Sequence, residues 1–175
     1  MSRPLLAGLV ACLWLLCGSL PAWSAGKGKA AVAFDVAAER FGALRLGQPA
    51  DEAKALVPCP SEAGKEIYEG ATGEYVQDVK MSACGLTFKM SGPRKGSGKK
   101  VASITVSAPS ELATSRGIRI GSTEAEVLAA YGAHRDKDGA TKAGKIFVAG
   151  SIFDGLIFNF KNGRVTRIFL GAAAE

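Results

Sequence analysis

The chain of 175 residues is poor in the groups that most enzyme sites need. It has one histidine, His134, and none of its four cysteines forms a Cys-x-x-Cys pair. The first shortage means that a His-based triad could use only His134, and that a zinc site would need more ligands than His134, Cys59 and Cys84 supply. The second removes a redox-active dithiol. Ser151 lacks the Gly-x-Ser-x-Gly elbow that exposes a nucleophile. Gly92 to Lys100 looks like a phosphate loop, but five residues separate Gly92 from Gly98-Lys99, and Lys100 stands where a magnesium-binding hydroxyl is needed. Asp136-Lys137-Asp138-Gly139 lacks the further oxygen ligands and terminal Glu of a calcium loop. The basic cluster Arg94, Lys95, Lys99 and Lys100 has no aromatic residue interleaved, so it is a weak nucleic-acid footprint. No catalytic set, metal site or cofactor is expected. His134, in a polar stretch, reads as a surface residue.

What is present suits a small globular protein. Hydrophobic residues make up 47% and charged residues 22% of the chain, enough to build a core and too apolar for disorder. The length allows one domain or two very small ones. Net charge is +6, which suits an acidic protein or an anionic surface.

Residues 1–24 read as a secretory signal peptide: Arg3, an uncharged run from Leu5 to Leu20, then Pro21 and Ala22-Trp23-Ser24, with cleavage after Ser24. The run is short for a membrane span. Leu9-Val10-Ala11-Cys12 fits a lipobox, which leaves lipidation of Cys12 open, but the apolar sequence continues well past it. A periplasmic or secreted protein with weak or no membrane association is expected. Cys12 and Cys17 leave with the signal. Cys59 and Cys84 remain, and in an oxidising compartment they are expected to form a structural disulfide.

The rest of the chain matches itself. Leu44-Arg45-Leu46-Gly47 lies over Ile118-Arg119-Ile120-Gly121 at an offset of 74 (118 − 44). Gly85-Leu86-Thr87-Phe88 lies over Gly155-Leu156-Ile157-Phe158 at 70 (155 − 85), and Val101 to Val106 over Val165 to Leu170 at 64 (165 − 101). Three matches in the same order predict a duplication, with residues 34–108 and 109–171 as the two units. The expected fold is α+β: two tandem repeats, each of two short helices packed on a three- to four-stranded antiparallel sheet. Asp35 is expected to cap a helix over Val36 to Arg40, and Ser110 one over Glu111 to Thr114. Pro49 is placed at the first helical position of the second helix of unit one, where it loses no hydrogen bond. Ser122 or Thr123 caps that of unit two, where Glu124 and Glu126 suit the helix dipole. Strands are expected at Glu74 to Met81, within Lys145 to Phe153, at Leu156 to Phe160 and at Val165 to Leu170. Asn162-Gly163 is a two-residue hairpin turn.

The order of Gly117-Ile118-Arg119-Ile120-Gly121, a capped helix ending in Tyr131-Gly132, then Gly155-Leu156-Ile157-Phe158-Asn159-Phe160 and Gly163-Arg164-Val165 resembles the repeat of β-lactamase inhibitory protein and the related domain of small outer-membrane assembly lipoproteins. The resemblance covers roughly Phe34 to Leu170. It implies a sheet face that binds a protein partner, and it carries over no contact residue.

Alternation supplies the candidate contacts. If Leu156, Phe158 and Phe160 face the core, Ile157 and Asn159 face outward, and Phe169 alternates away from Ile168 and Leu170. Ile157, Asn159 and Phe169 are therefore the candidate partner-binding residues. The functional expectation is an exported, non-catalytic protein-binding module, either a hydrolase inhibitor or an envelope interaction protein. The alternatives are an envelope assembly or structural factor, or a small hydrolase with an unrecognised site.

Overall fold

A computed structural model describes residues 33–174. The expected signal peptide, with Cys12 and Cys17, lies outside the described residues. The elements are β1 (Arg40–Phe41), β2 (Leu44–Arg45), α1 (Ala50–Ala55), β3 (Glu62–Ala63), β4 (Ile67–Glu69), β5 (Glu74–Met81), β6 (Leu86–Gly92), β7 (Lys100–Ser107), α2 (Glu124–Tyr131), β8 (Ile146–Gly150), β9 (Gly155–Lys161) and β10 (Arg164–Gly171). Strands β3 to β10 form one antiparallel sheet in the order β3-β5-β6-β7-β10-β9-β8, with β4 also paired to β5. β1 and β2 make a separate short hairpin.

This corrects the expected fold class. The protein is mostly antiparallel sheet, and there are not two helices per unit. Residues Val36–Ala38 make a single 3₁₀ turn, capped by Asp35 at Ala37 and Ala38 as expected, but the chain then enters the β1–β2 hairpin. Residues 111–114 form no helix at all. The carbonyl of Ala113 accepts from Gly42 N–H, and Thr114 bridges Phe41 and donates to Ile118 O. These pairings use the backbone groups that a helix would need. The Ser110 hydroxyl accepts from Leu112 N–H, a local turn in place of a helix cap. The strands are also one sheet rather than one per unit, since β7 pairs with β10 through Val106 opposite Ile168 and Ile104 opposite Leu170.

The two α-helices start for readable reasons. Thr123 caps α2 through Glu126 N–H, while the Glu126 carboxylate reaches back to Thr123 N–H at 2.6 Å. This capping box satisfies two of the amides that a helix start leaves open. Pro49 sits at the position before α1, where its missing N–H costs nothing. The Asn162-Gly163 turn has φ values of 53° and 71°, as a tight hairpin between β9 and β10 requires.

Matched positions make matched bonds. Gly47 N–H donates to Val101 O and Val101 N–H to Gln48 O; Gly121 N–H donates to Val165 O and Val165 N–H to Ser122 O. Ala50 N–H binds Lys99 O, as Glu124 N–H binds Gly163 O. Each helix is thus pinned at its start to the first residues of a strand, β7 for α1 and β10 for α2.

The helices and the β1–β2 hairpin cover one face of the sheet. There Phe88, Ile104, Phe158, Ile168 and Leu170 pack with Phe41, Ala53, Val127 and Tyr131, all at 0% exposure. Burying such Leu, Ile or Phe side chains stabilises by about 1.5–3 kcal/mol each. The alternating burial of β6 and β9 leaves the intervening side chains on the opposite, outer face. The β8 edge is covered. Asp136 N–H donates to Val148 O, and Lys142 and Ile146 exchange both backbone bonds. Such cover blunts an edge that could pair with another chain.

Cys59 and Cys84 form a disulfide, with Cα atoms 6.3 Å apart. It ties the segment after α1 to the turn between β5 and β6. No helix among the described residues is long and apolar enough to cross a membrane.

Candidate binding face of the sheet

The outer face brings the three sequence-derived candidates together. Ile157 on β9 stands opposite Phe169 on β10, and Asn159 stands opposite Arg167. All three candidates are half-buried and border one shallow depression of about 340 Å³, shared with Lys89, Ser103, Arg167 and the chain after β10 at Ala172 and Ala173. No helix lies over this face among the described residues, because α1 and α2 both pack on the other side.

Arg167 is the residue that the sequence reading missed. It is exposed, and its guanidinium carbon lies 5.9 Å from the centroid of the Phe169 ring, within cation–π range. The signal was available: Arg167 and Phe169 are two apart in one strand and therefore share a face. Lys89 lies two strands away, and its ammonium is 3.5 Å from a Glu69 carboxylate oxygen on β4.

The other polar clusters are closed structures. Glu39 is 4% exposed; its carboxylate accepts from Ser115 N–H at 2.8 Å and from the Tyr131 hydroxyl at 3.1 Å. Burial, first of all, pushes the Tyr131 hydroxyl up to about 12, and the Glu39 charge adds to that. Asp136, considered above for a calcium loop, is buried. Its carboxylate accepts from Ala140 N–H, Thr141 N–H and the Thr141 hydroxyl. It holds its own loop together, as Asx turns do.

His134 is half-buried rather than a surface residue. Its Nε2 is 2.8 Å from an Arg116 guanidinium nitrogen, whose carbon in turn lies 4.9 Å from the Tyr131 ring centroid. Arginine only donates, so this nitrogen of His134 is the acceptor. The ring packs edge-on against Phe34. No hydroxyl or thiol among the described residues bonds this imidazole, the contact by which a triad activates its nucleophile. Among the described residues no three His, Cys, Asp or Glu side chains gather as metal ligands would.

The basic loop between β6 and β7 is anchored. The Glu66 carboxylate accepts from Gly96 N–H and pairs with the Lys99 ammonium at 2.6 Å. The Lys99 hydrogen bond, then the Gly96 amide, hold the Glu66 carboxyl below the usual carboxylate range. One apolar groove of about 370 Å³ lies beside the disulfide, between Leu56, Pro58, Cys84, Pro109 and Leu112.

No protein-family model, curated protein or solved structure matches the chain.

Proposed function

We propose that the protein is an exported, non-catalytic protein-binding module that uses the outer face of its sheet, as a hydrolase inhibitor or an envelope interaction protein would. The observation that carries this reading is the convergence of Ile157, Asn159 and Phe169, with Arg167, on a face that neither helix covers. Aromatic and Arg side chains in the centre of a patch are the usual anchors of protein interfaces. The face is on the ordered ladder of β9 and β10, so its side chains are held in place before a partner arrives, which lowers the ordering cost of binding.

The non-catalytic part of the reading draws on the two buried carboxylates. Glu39 and Asp136 have their oxygens taken up by backbone amides and hydroxyls of the fold itself. The exported part draws on the disulfide, which fits an oxidising compartment, and on the signal-like residues 1–24. Internal duplication accounts for the matched hydrogen bonds that pin α1 to β7 and α2 to β10.

Affinity capture tests the reading. The mature, oxidised protein is used as bait on a cell-envelope extract, in parallel with Phe169→Ala. Retention of one stoichiometric protein by the wild type, and its loss with a folded Phe169→Ala bait, is the expected result. Equal retention by both baits would remove the sheet face from the reading.

A further inference from the structure

The outer face also points to the chemistry of its occupant. From β6 to β8 its outward positions carry the cations Lys89, Lys100, Lys161, Arg164 (bonded to Gly121 O) and Arg167, several Ser and Thr, and no carboxylate. The acids of this face, Glu62, Glu69, Glu74 and Asp78, lie on β3, β4 and β5. Glu69 is already used by Lys89. Arg167 and Lys161 have no carboxylate partner among the described residues. The centre, by contrast, is apolar: Ile157 and Phe169 lie opposite each other, next to Arg167.

We infer that this face takes an acidic segment of a partner protein, with a carboxylate on the Arg167 guanidinium and an adjacent apolar side chain on Ile157 and Phe169. The inference rests on the binding-module reading and adds the partner's chemistry. A guanidinium offers paired donors that match a carboxylate in two parallel bonds. The Arg167 guanidinium lies within cation–π range of the Phe169 ring, 5.9 Å from the centroid, so the charge and the apolar surface are adjacent. The depression, about 340 Å³, has room for a few side chains. Asn159 and the Ser and Thr hydroxyls around it can bond to a partner's backbone. A nucleic acid is a poorer fit, because one ring gives no run of stacking platforms. A lipid surface is also a poorer fit, because Lys89 and Arg167 border an apolar centre within a depression.

The test is selection of a displayed random-peptide library on the full, disulfide-bonded protein, followed by binding of the selected peptides to variants. Selected sequences should be rich in Asp or Glu next to Leu, Ile or Phe. Arg167→Glu and Phe169→Ala should each weaken them by about tenfold or more, as loss of an interface anchor does. Arg167→Lys should fall between, and replacing the peptide's acids by amides should partly restore binding to Arg167→Glu, because it removes a like-charge pair. Circular dichroism confirms that each variant is folded.

Peptides without acids, or acidic peptides that bind Arg167→Glu as well as wild type, would overturn the inference. If such peptides compete for another surface, the binding-module reading survives. If no peptide is selected and envelope capture also fails, both fall. Vesicles of phosphatidylglycerol and a single-stranded oligonucleotide serve as the other probes. Binding to either that is stronger than to any selected peptide, and that Arg167→Glu abolishes, would assign the face to that ligand and overturn the inference.

Discussion

Thr105 of β7 and Phe169 of β10 stand directly opposite each other in the central ladder, and they are also the matched positions of the two halves, 64 apart (169 − 105). Their neighbours exchange under the same offset. Ile104 matches Ile168 and Val106 matches Leu170, while the ladder pairs Ile104 with Leu170 and Val106 with Ile168. The inner face is therefore apolar on both sides of the pair. The outer face is not symmetric: one half supplies a hydroxyl and the other a ring.

That asymmetry gives the first prediction. If Phe169 serves the outer face, Phe169→Ala should cost little stability, about 1 kcal/mol, the scale of a cross-strand pair. Phe158→Ala, at 0% exposure in the core, should cost about 3–5 kcal/mol. Urea unfolding of the two variants measures both. An equal cost would place Phe169 in the core and remove the anchor of the proposed binding face.

Cys59 and Cys84 close a loop across a sequence separation of 25. Loop entropy puts the effect of the bridge at about 3 kcal/mol. Replacing both cysteines by alanine should lower the unfolding midpoint accordingly, with little change in the far-ultraviolet spectrum. If reduction of the wild type leaves the midpoint unchanged, the bridge is not formed in solution.

Gly85 and Gly155, 70 apart (155 − 85), both admit no side chain. Gly85 has φ of +64°, and a Cβ there would collide with Ser107 O; a Cβ on Gly155 would collide with Ser151 O. Strain and backbone displacement of this kind belong to the severe class of single changes, above about 4 kcal/mol. Gly85→Ala or Gly155→Ala should fail to yield soluble protein, whereas Gly132→Ala, with open space at its Cβ, should be neutral or mildly stabilising. Soluble expression and thermal melts of the three variants decide this.

Strands β5, β8, β9 and β10 are readable because their signals are local. Glu74 to Met81 was placed residue for residue, Asn162-Gly163 marked its hairpin, and alternation put Ile157 and Phe169 on one face. The first helices were not readable, because their fate is set at long range. Ser110 looks like a helix cap until Ala113 and Thr114 pair with Gly42 and Phe41, some seventy residues earlier. The joining of β7 to β10 into one sheet is also a non-local pairing. Arg167 was legible by period two alone, but Glu39, Tyr131 and His134 meet only through the fold.

The capping box of α2 predicts an acid-sensitive helix start. Hydrogen bonds from Thr123 N–H, then from its hydroxyl, hold the Glu126 carboxyl below its ordinary range. A depressed acid contributes stability above its unfolded value and loses it as pH falls through the folded one. Thr123→Ala should cost about 1 kcal/mol at neutral pH. Glu126→Gln should lower the melting temperature at neutral pH and narrow its further fall on acidification to about pH 3. Parallel melts of wild type and Glu126→Gln across that range make the comparison, and parallel acid limbs would count against the box.

At the other end of the pH scale, the Tyr131–Glu39 contact gives a signature of its own. The Tyr131 side chain is fully buried, and its hydroxyl donates to a Glu39 carboxylate oxygen at 3.1 Å. Ionising it would bury a phenolate beside a carboxylate, so its titration is pushed from 10.0 to about 12. A raised value means that the contribution to stability is complete below about pH 10 and is lost as pH rises toward 12. Near-ultraviolet absorbance should therefore show one of the three tyrosines ionising only near that limit, together with unfolding. Tyr131→Phe should abolish this step. It should also cost about 1–3 kcal/mol at neutral pH, because Glu39 stays buried with one donor fewer. If Tyr131→Phe keeps full stability, Glu39 has found another donor, and the tie between the β1–β2 hairpin and α2 does not depend on this bond. If the late step persists in the variant, it belongs to another tyrosine, and the buried contact does not exist in solution.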